Sequence, residues 1–253
     1  MNQKTRAILL RSYKYGESSR VAVFLAPALG KVKAVLKGVE KLKSKYSKLQ
    51  VFGLYDIELK RVKGRELDIV SSLEVIDNFP GIMKRSETYA ATMTIIEITA
   101  MITSLENDET PLFGELCFVL DRLSQGGAGE SPVRYLIVYA LRSMHLAGFI
   151  GSFSECGACR DKNGPFSITS SGEIRCKRCA PPGKKVFIDL SIARLMDRIT
   201  CGSMGENVYL SAENSELRKI SPVVRLLLDF VLPKPLKSLD FLSSVLKKGK
   251  NPK

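Results

Sequence analysis

Four cysteines constrain this chain more than any other feature. Cys156, Cys159, Cys176 and Cys179 stand as Cys-Gly-Ala-Cys, sixteen intervening residues and Cys-Lys-Arg-Cys, the spacing of two knuckles that close on one tetrahedral zinc ion. A fold that contains them must bring two short turns to a single point. Four thiolates fill the coordination shell and leave no position for a water or a substrate, so the expected Zn2+, one per chain, is structural and not catalytic. Paired redox thiols and an iron–sulfur site are the competing readings. A redox pair belongs beside a βαβ pattern, whereas both pairs here lie in a loop-rich segment with turn residues Asn163-Gly164-Pro165 and Ser170-Ser171-Gly172. Cys117 and Cys201 stand in apolar surroundings, where a buried, inert thiol is the ordinary case.

Charge divides the chain unevenly. Residues 1–63 hold fifteen Lys or Arg against four Asp or Glu, a net of +11, and the remaining 190 residues contribute only +2 of the total +13. One domain therefore carries the basic character, and such a concentration points to a polyanionic partner, nucleic acid before any other. The first six residues lead directly into an alternating segment without the apolar core of a signal peptide. The longest apolar stretch, 133–150, is interrupted by Arg134, Arg142 and His145, so no clean membrane span is expected. These features predict a cytoplasmic protein with reduced thiols.

Strand-like alternation occupies residues 5–12, 19–26, 31–36, 52–61 and 66–76, separated by turn residues and by no long helix. Five short strands in that arrangement predict an oligonucleotide-binding (OB) type β-barrel. In the third, Lys31, Lys33 and Lys37 share one parity and Val32, Ala34 and Leu36 the other, so one face enters the core and one faces outward. After Pro80 the period becomes helical, with helices expected over 86–105, 110–123, 131–148, 189–199, 221–232 and 238–247. The α+β reading thus has an OB-type domain at 1–80, a helical bundle at 81–150 and 186–246, the zinc module inserted at 151–185, and a basic flexible tail at 247–253.

Residues 30–48 carry seven lysines and one acid. On a barrel strand and the loop after it, these ammonium groups can line a groove along a phosphate backbone and gain affinity by counterion release. Tyr13, Tyr15, Tyr46 and Tyr55 are nearby aromatics that could stack on bases, although Tyr55, within an apolar strand, reads as core. Signs of catalysis are missing. His145 is the one histidine, the glycine-rich 126–131 stretch lacks the Gly-Lys-Ser/Thr ending of a phosphate loop, and Asp56 and Glu58 have no further ligands for a two-metal site.

Glu17-Ser18-Ser19, Phe24, Gly30-Lys31-Val32, Lys37-Gly38, Leu49-Gln50 and Phe52 together resemble the N-terminal domain of the RecO family of bacterial DNA repair proteins. Lys234-Pro235-Leu236-Lys237-Ser238-Leu239-Asp240-Phe241 is similar to that family's closing motif. The order of barrel, helical bundle, cysteine module and closing motif extends the resemblance over essentially the whole chain. It implies a non-enzymatic recombination mediator of the bacterial cytosol and nucleoid. Such a protein binds single- and double-stranded DNA, anneals complementary strands, interacts with the single-strand-binding protein through that protein's acidic C-terminal tail, and works with RecR to load RecA. Carried over by position, the DNA-binding expectation falls on Arg11, Lys31, Lys33, Lys37, Lys41, Lys43 and Lys45. The helical bundle is expected to take the acidic tail, with Arg134, Arg142 or Arg225 beside it. The alternative, from a different class, is an RNA-binding, zinc-containing factor of the translation machinery.

Overall fold

A computed structural model describes residues 2–39, 44, 46, 49–61, 67–105, 107–126, 131–169, 172–183 and 185–249. The chain divides into two compact units, 1–128 with 238–253, and 129–237.

The first unit is built on strands β1 (Asn2–Tyr15), β2 (Ser19–Ala26), β3 (Gly30–Leu36), β4 (Leu54–Lys60) and β5 (Asp68–Asp77). They close a barrel in the order β1-β2-β3-β5-β4. Closure comes from a short parallel pairing, Ala34 with Asp68 and Val35 with Ile69, while the other pairings are antiparallel. Alternation fills the interior: Ala22, Phe24 and Ala26, then Val32, Ala34 and Leu36, then Tyr55, Ile57 and Leu59 all enter one core. The parity expected for the third strand is the one observed.

Helix α1 (Ser86–Ile102) is buried on several sides, and its threonines solve the polar problem this creates. Thr92, Thr94 and Thr99 each donate the hydroxyl to the carbonyl four residues earlier. Helix α2 (Thr110–Gln125) buries Leu112, Phe113, Leu116, Val119, Leu120 and Leu123 in the same unit. The C-terminal helix α7 (Lys237–Gly249) belongs here too. The Ser238 amide and hydroxyl donate to the Glu97 carboxylate of α1 at 2.8 and 2.6 Å. Phe241 meets Tyr89 edge-on at 6.4 Å, and Tyr89 meets Phe52 in the same way at 6.3 Å.

In the second unit, helix α3 (Pro132–Leu146) leads into a three-stranded sheet of β6 (Phe166–Thr169), β7 (Ile174–Cys176) and β8 (Lys185–Ile188), ordered β7-β6-β8, and then into α4 (Leu190–Cys201), α5 (Glu206–Leu210) and α6 (Asn214–Val231). The helices therefore do not gather into one bundle in chain order: α1, α2 and α7 pack with the barrel, and α3 to α6 with the cysteine module. Helix α6 starts earlier than Ser221-Pro222 predicts. A reciprocal cap joins Glu213 and Glu216, and Leu217, Ile220, Val223, Val224, Leu227 and Leu228 form one continuous buried face that carries the helix through Pro222. Among the described residues no helix is long and apolar enough to cross a membrane.

The start of β3 is a tight packing point of the first unit. Gly30 has φ +61°, and a Cβ there would lie 2.6 Å from the Asn107 carbonyl oxygen and 3.0 Å from that of Ser104. Gly30→Ala meets both a left-handed backbone and a wall of main chain, and is expected to cost roughly 2 kcal/mol or more. Chemical denaturation of the two proteins measures it; an unchanged midpoint contradicts the assignment.

Candidate nucleic-acid interface and metal centre

The outer face of β1, β2 and β3 can be read from register, because residues opposite one another in a ladder project to the same side. Arg11 pairs with Val23 and Val23 with Lys33; Tyr13 pairs with Val21 and Val21 with Val35. Arg11 and Lys33 thus lie on one transverse row, roughly 10 Å apart at the backbone. Arg11, Lys33 and the following Lys37 are exposed. The Arg11 guanidinium stands 5.8 Å from the Tyr13 ring centroid, a cation–π spacing. Tyr13 and Tyr15 are 41% and 52% exposed. A β-bulge makes this face possible: the register shifts between Leu9 and Arg11, so Leu9 points to the core and Arg11, two positions on, points out.

Across the other side of β1 the charges balance. Lys4 is opposite Glu58 and Arg6 is opposite Asp56, while Glu58 also accepts from Asn2, Ser71 and Ser72. These carboxylates neutralise the β1–β4 face and leave the β1–β3 face cationic.

Lys31 does not join the outward set. Its ammonium donates to the carbonyls of Ala100 at 2.9 Å and Thr103 at 2.7 Å, which caps the C-terminal end of α1. Burial, reinforced by Lys33 and opposed by Glu109, holds this lysine below its ordinary pKa. The expectation for Lys31 is therefore corrected: a charge spent on helix carbonyls is not free for phosphate. Lys41, Lys43 and Lys45 lie outside the described residues. Tyr46 and Tyr55 are core, with Tyr55 Oη donating to the Gln50 carbonyl at 3.0 Å. Lys14 and Arg20, paired across β1 and β2, have the opposite parity and lie on the Ser12–Ala22 side, where Arg20 donates to the Ser12 hydroxyl at 2.8 Å, so they do not join the Arg11–Lys33 row.

The four module cysteines converge. Their Sγ atoms all lie within 4.8 Å of one another, and Cys159 Sγ is 3.7 Å from Cys176 Sγ. A tetrahedral zinc with sulfur ligands at about 2.3 Å places its sulfurs about 3.8 Å apart, so the donor set fits a single ion of this kind. Each knuckle is a tight turn, closed by Arg160 N to Cys156 O and by Cys179 N and Ala180 N to Cys176 O. Burial pushes the Cys156 thiol up, but amides of Cys159, Cys176 and Ala158 outweigh it and bring it down to about 6. The Cys179 amide similarly lowers Cys176. Both changes favour the thiolate, the form that binds metal, whereas hydrogen bonds with Cys159 and Cys176 push Cys179 up to about 12. The other two cysteines differ from expectation. Cys117 is half-buried, its thiol pushed up to about 11 by burial, and Cys201, at the end of α4, is exposed instead of packed in a core.

The helical residues proposed beside an acidic tail separate. Arg142 is buried and donates to the carbonyls of Ile199 at 2.7 Å and Gly202 at 2.8 Å, closing the end of α4, so it lines no surface groove. Arg134 donates to the Ala212 carbonyl and to Asn214 Oδ1, and Arg225 is exposed. His145 Nδ1 lies 3.2 Å from the Ile150 carbonyl oxygen.

Two family models match the chain: "Recombination protein O N terminal" over residues 1–79 and "Recombination protein O C terminal" over residues 83–240. A DNA repair protein RecO from a Nocardioides species is 28% identical over 249 residues, covering 96% of this chain and 99% of the relative. A DNA repair protein RecO from Dehalococcoides mccartyi is 27% identical over 247 residues, covering 96% and 95%.

The sulfur geometry predicts one tightly held metal ion per chain. Cys156→Ser or Cys176→Ser leaves a buried site short of one ligand and should release the ion and unfold the module, while the barrel, with a separate core, stays folded. Elemental analysis with circular dichroism tests this, and a metal-free, fully folded parent overturns it.

Proposed function

Because the chain belongs to the RecO family of DNA repair and recombination proteins, we propose that it is a recombination mediator. In this reading it binds single- and double-stranded DNA on its barrel, anneals complementary strands and, with RecR, helps load RecA on DNA covered by the single-strand-binding protein. The observation that carries the reading is the Arg11–Val23–Lys33 row with the Tyr13 ring beside it. Glu17 is the one acid among residues 2–39, against eight Lys or Arg, so the field over this face attracts a phosphate chain without local cancellation.

Annealing follows from what such contacts do and leave undone. Two phosphate chains repel each other, and cations held on a rigid strand reduce that repulsion when both chains approach. Contacts to phosphate position a strand without occupying the edges of its bases. The bases stay free to find their complements. Arg11, Lys33 and Lys37 act as the described phosphate contacts, Lys41, Lys43 and Lys45 extend them, and Tyr13 and Tyr15 offer ring faces to unpaired bases.

Zn2+ is the metal assigned to Cys156, Cys159, Cys176 and Cys179, where it would hold the two knuckles together and supply no chemistry to DNA. The reading contains no hydrolytic step, since Asp56 and Glu58 are opposite Arg6 and Lys4 and not arranged about an open metal position. The RNA-binding translation factor finds no support: both family models and both relatives are recombination or repair proteins. Labelled DNA incubated with magnesium should remain intact.

A triple Lys33, Lys37, Lys41 to Glu variant should lose DNA affinity and annealing together while keeping its helical content. Removal of three phosphate contacts should flatten the slope of log affinity against log salt by roughly two to three units. Lys31→Met should behave oppositely, with lower stability by about 1.5 to 3 kcal/mol and a nearly parental salt slope. A triple variant that anneals at the parental rate with an unchanged slope would sink the reading.

A further inference from the structure

The second unit repeats on β8 the device that marks the barrel face. Phe187 is 64% exposed, and the Lys185 ammonium stands 5.7 Å from its ring centroid, a spacing close to that of Arg11 over Tyr13. The two residues are two positions apart on the strand and so share a face. Strand β8 is at the edge of its sheet, paired through β6 on one side only, which leaves the platform open.

The same strand runs directly into α4. Asp189 caps that helix by accepting from the Ile192 amide at 2.9 Å and from the Ser191 hydroxyl. Ile192, Ala193, Leu195, Met196 and Ile199 are buried, which turns Ser191, Arg194 and Arg198, at positions i, i+3 and i+7, to the opposite side. With Ser154 and Asp197 these three line an open groove of about 530 Å³. Asp197 offsets one of the two arginines in charge, but its oxygens are already taken. Its carboxylate accepts from the Phe153 amide at 2.7 Å, the Ser154 amide at 3.1 Å, the Ser152 hydroxyl at 3.1 Å and the Ser154 hydroxyl. The groove therefore carries two guanidinium groups against one carboxylate whose oxygens are already filled, a net positive lining that can take anionic oxygens.

From this we infer that β8 and α4 form a second nucleic-acid contact, which holds an unpaired segment with a base stacked on Phe187 and backbone phosphates on Lys185, Arg194 and Arg198. The inference rests on the reading of the chain as a DNA-binding protein and adds to it a place for a second strand on a different unit. An aromatic face serves a base only once that base has left its duplex, and it serves all four bases alike, so the occupant is single-stranded and its sequence is not read. An acidic peptide would satisfy the arginines but would leave the ring and its cation unused. Residues 151–185, which lead up to the platform, hold seven Lys or Arg against three Asp or Glu, a balance suited to a polyanion.

Binding of fluorescein-labelled oligo(dT) to the full chain is measured over a salt series, with photocrosslinking of a bromodeoxyuridine oligonucleotide and mapping of the linked peptides. The parent should crosslink within both 1–128 and 129–237. In the background of the Lys33, Lys37, Lys41 to Glu variant, Phe187→Ala should weaken binding about five- to a hundredfold, and Phe187→Tyr should restore it. Arg194→Gln with Arg198→Gln should flatten the salt slope by about 1.4 units. Zinc content and circular dichroism report whether each variant is folded. Crosslinks confined to 1–128, with parental affinity and slope in these variants, overturn the second contact and leave the barrel reading standing. An acidic peptide that occupies the groove without displacing oligo(dT) assigns it to a protein and also overturns the inference. A folded parent that fails to bind oligo(dT) removes both readings together.

Discussion

The first two residues of β3 hold the barrel to its helices, and the placement of the cationic face depends on them. Gly30 lets the main chain of Ser104 and Asn107 approach where any side chain would collide, and Lys31 places an ammonium on the Ala100 and Thr103 carbonyls at the end of α1. The Lys31 amide adds a bond to the Ser104 carbonyl at 2.9 Å. A strand pinned at its first residue has its parity fixed along its whole length, because a slip of one position would turn Lys33 inward and Ala34 outward. Structure and candidate function meet here on adjacent lysines: one cation is spent on positioning so that the next can face solvent.

That division explains what was legible in the residues and what was not. Alternation in β3 and β4 is strict, so five strands, the core side of the third and the α+β class could be read from spacing alone. The face of Arg11 could not. Simple alternation from Ala7 and Leu9 would send Arg11 and Tyr13 into the core, and only the bulge after Leu9 returns them to the outer side. Lys31 is equally ambiguous in sequence, since a lysine that caps a helix some seventy residues away leaves no local trace.

The helical part shows the same limit in another form. Pro222 after Ser221 has the composition of a helix start, yet the apolar positions from Leu217 to Leu228 and the reciprocal cap at Glu213 and Glu216 outweigh one missing donor. The grouping of helices was hidden for a related reason. Glu97 and Tyr89 of α1 receive Ser238 and Phe241, partners far apart in sequence, so the closing motif belongs with the barrel's unit although chain order places it after α6. The cysteine module lay at the other extreme. Two knuckles of fixed spacing leave one arrangement in which four sulfurs converge, and spacing alone was enough.

The charges also bear on why the proposed face would suit a strand of any sequence. Opposite Lys4 and Arg6 the protein places Glu58 and Asp56, so each cation there has a carboxylate facing it across the ladder. Opposite Arg11 and Lys33 it places Val23, which offers no counter-charge and no hydrogen bond. Cations flanking an apolar residue keep their full field for a partner from solution, and they make no directional demand on it beyond negative charge. Specific reading needs fixed donors and acceptors aimed at base edges. This row supplies the attraction and lacks the fixed readers, the combination that the proposed annealing would require of its surface.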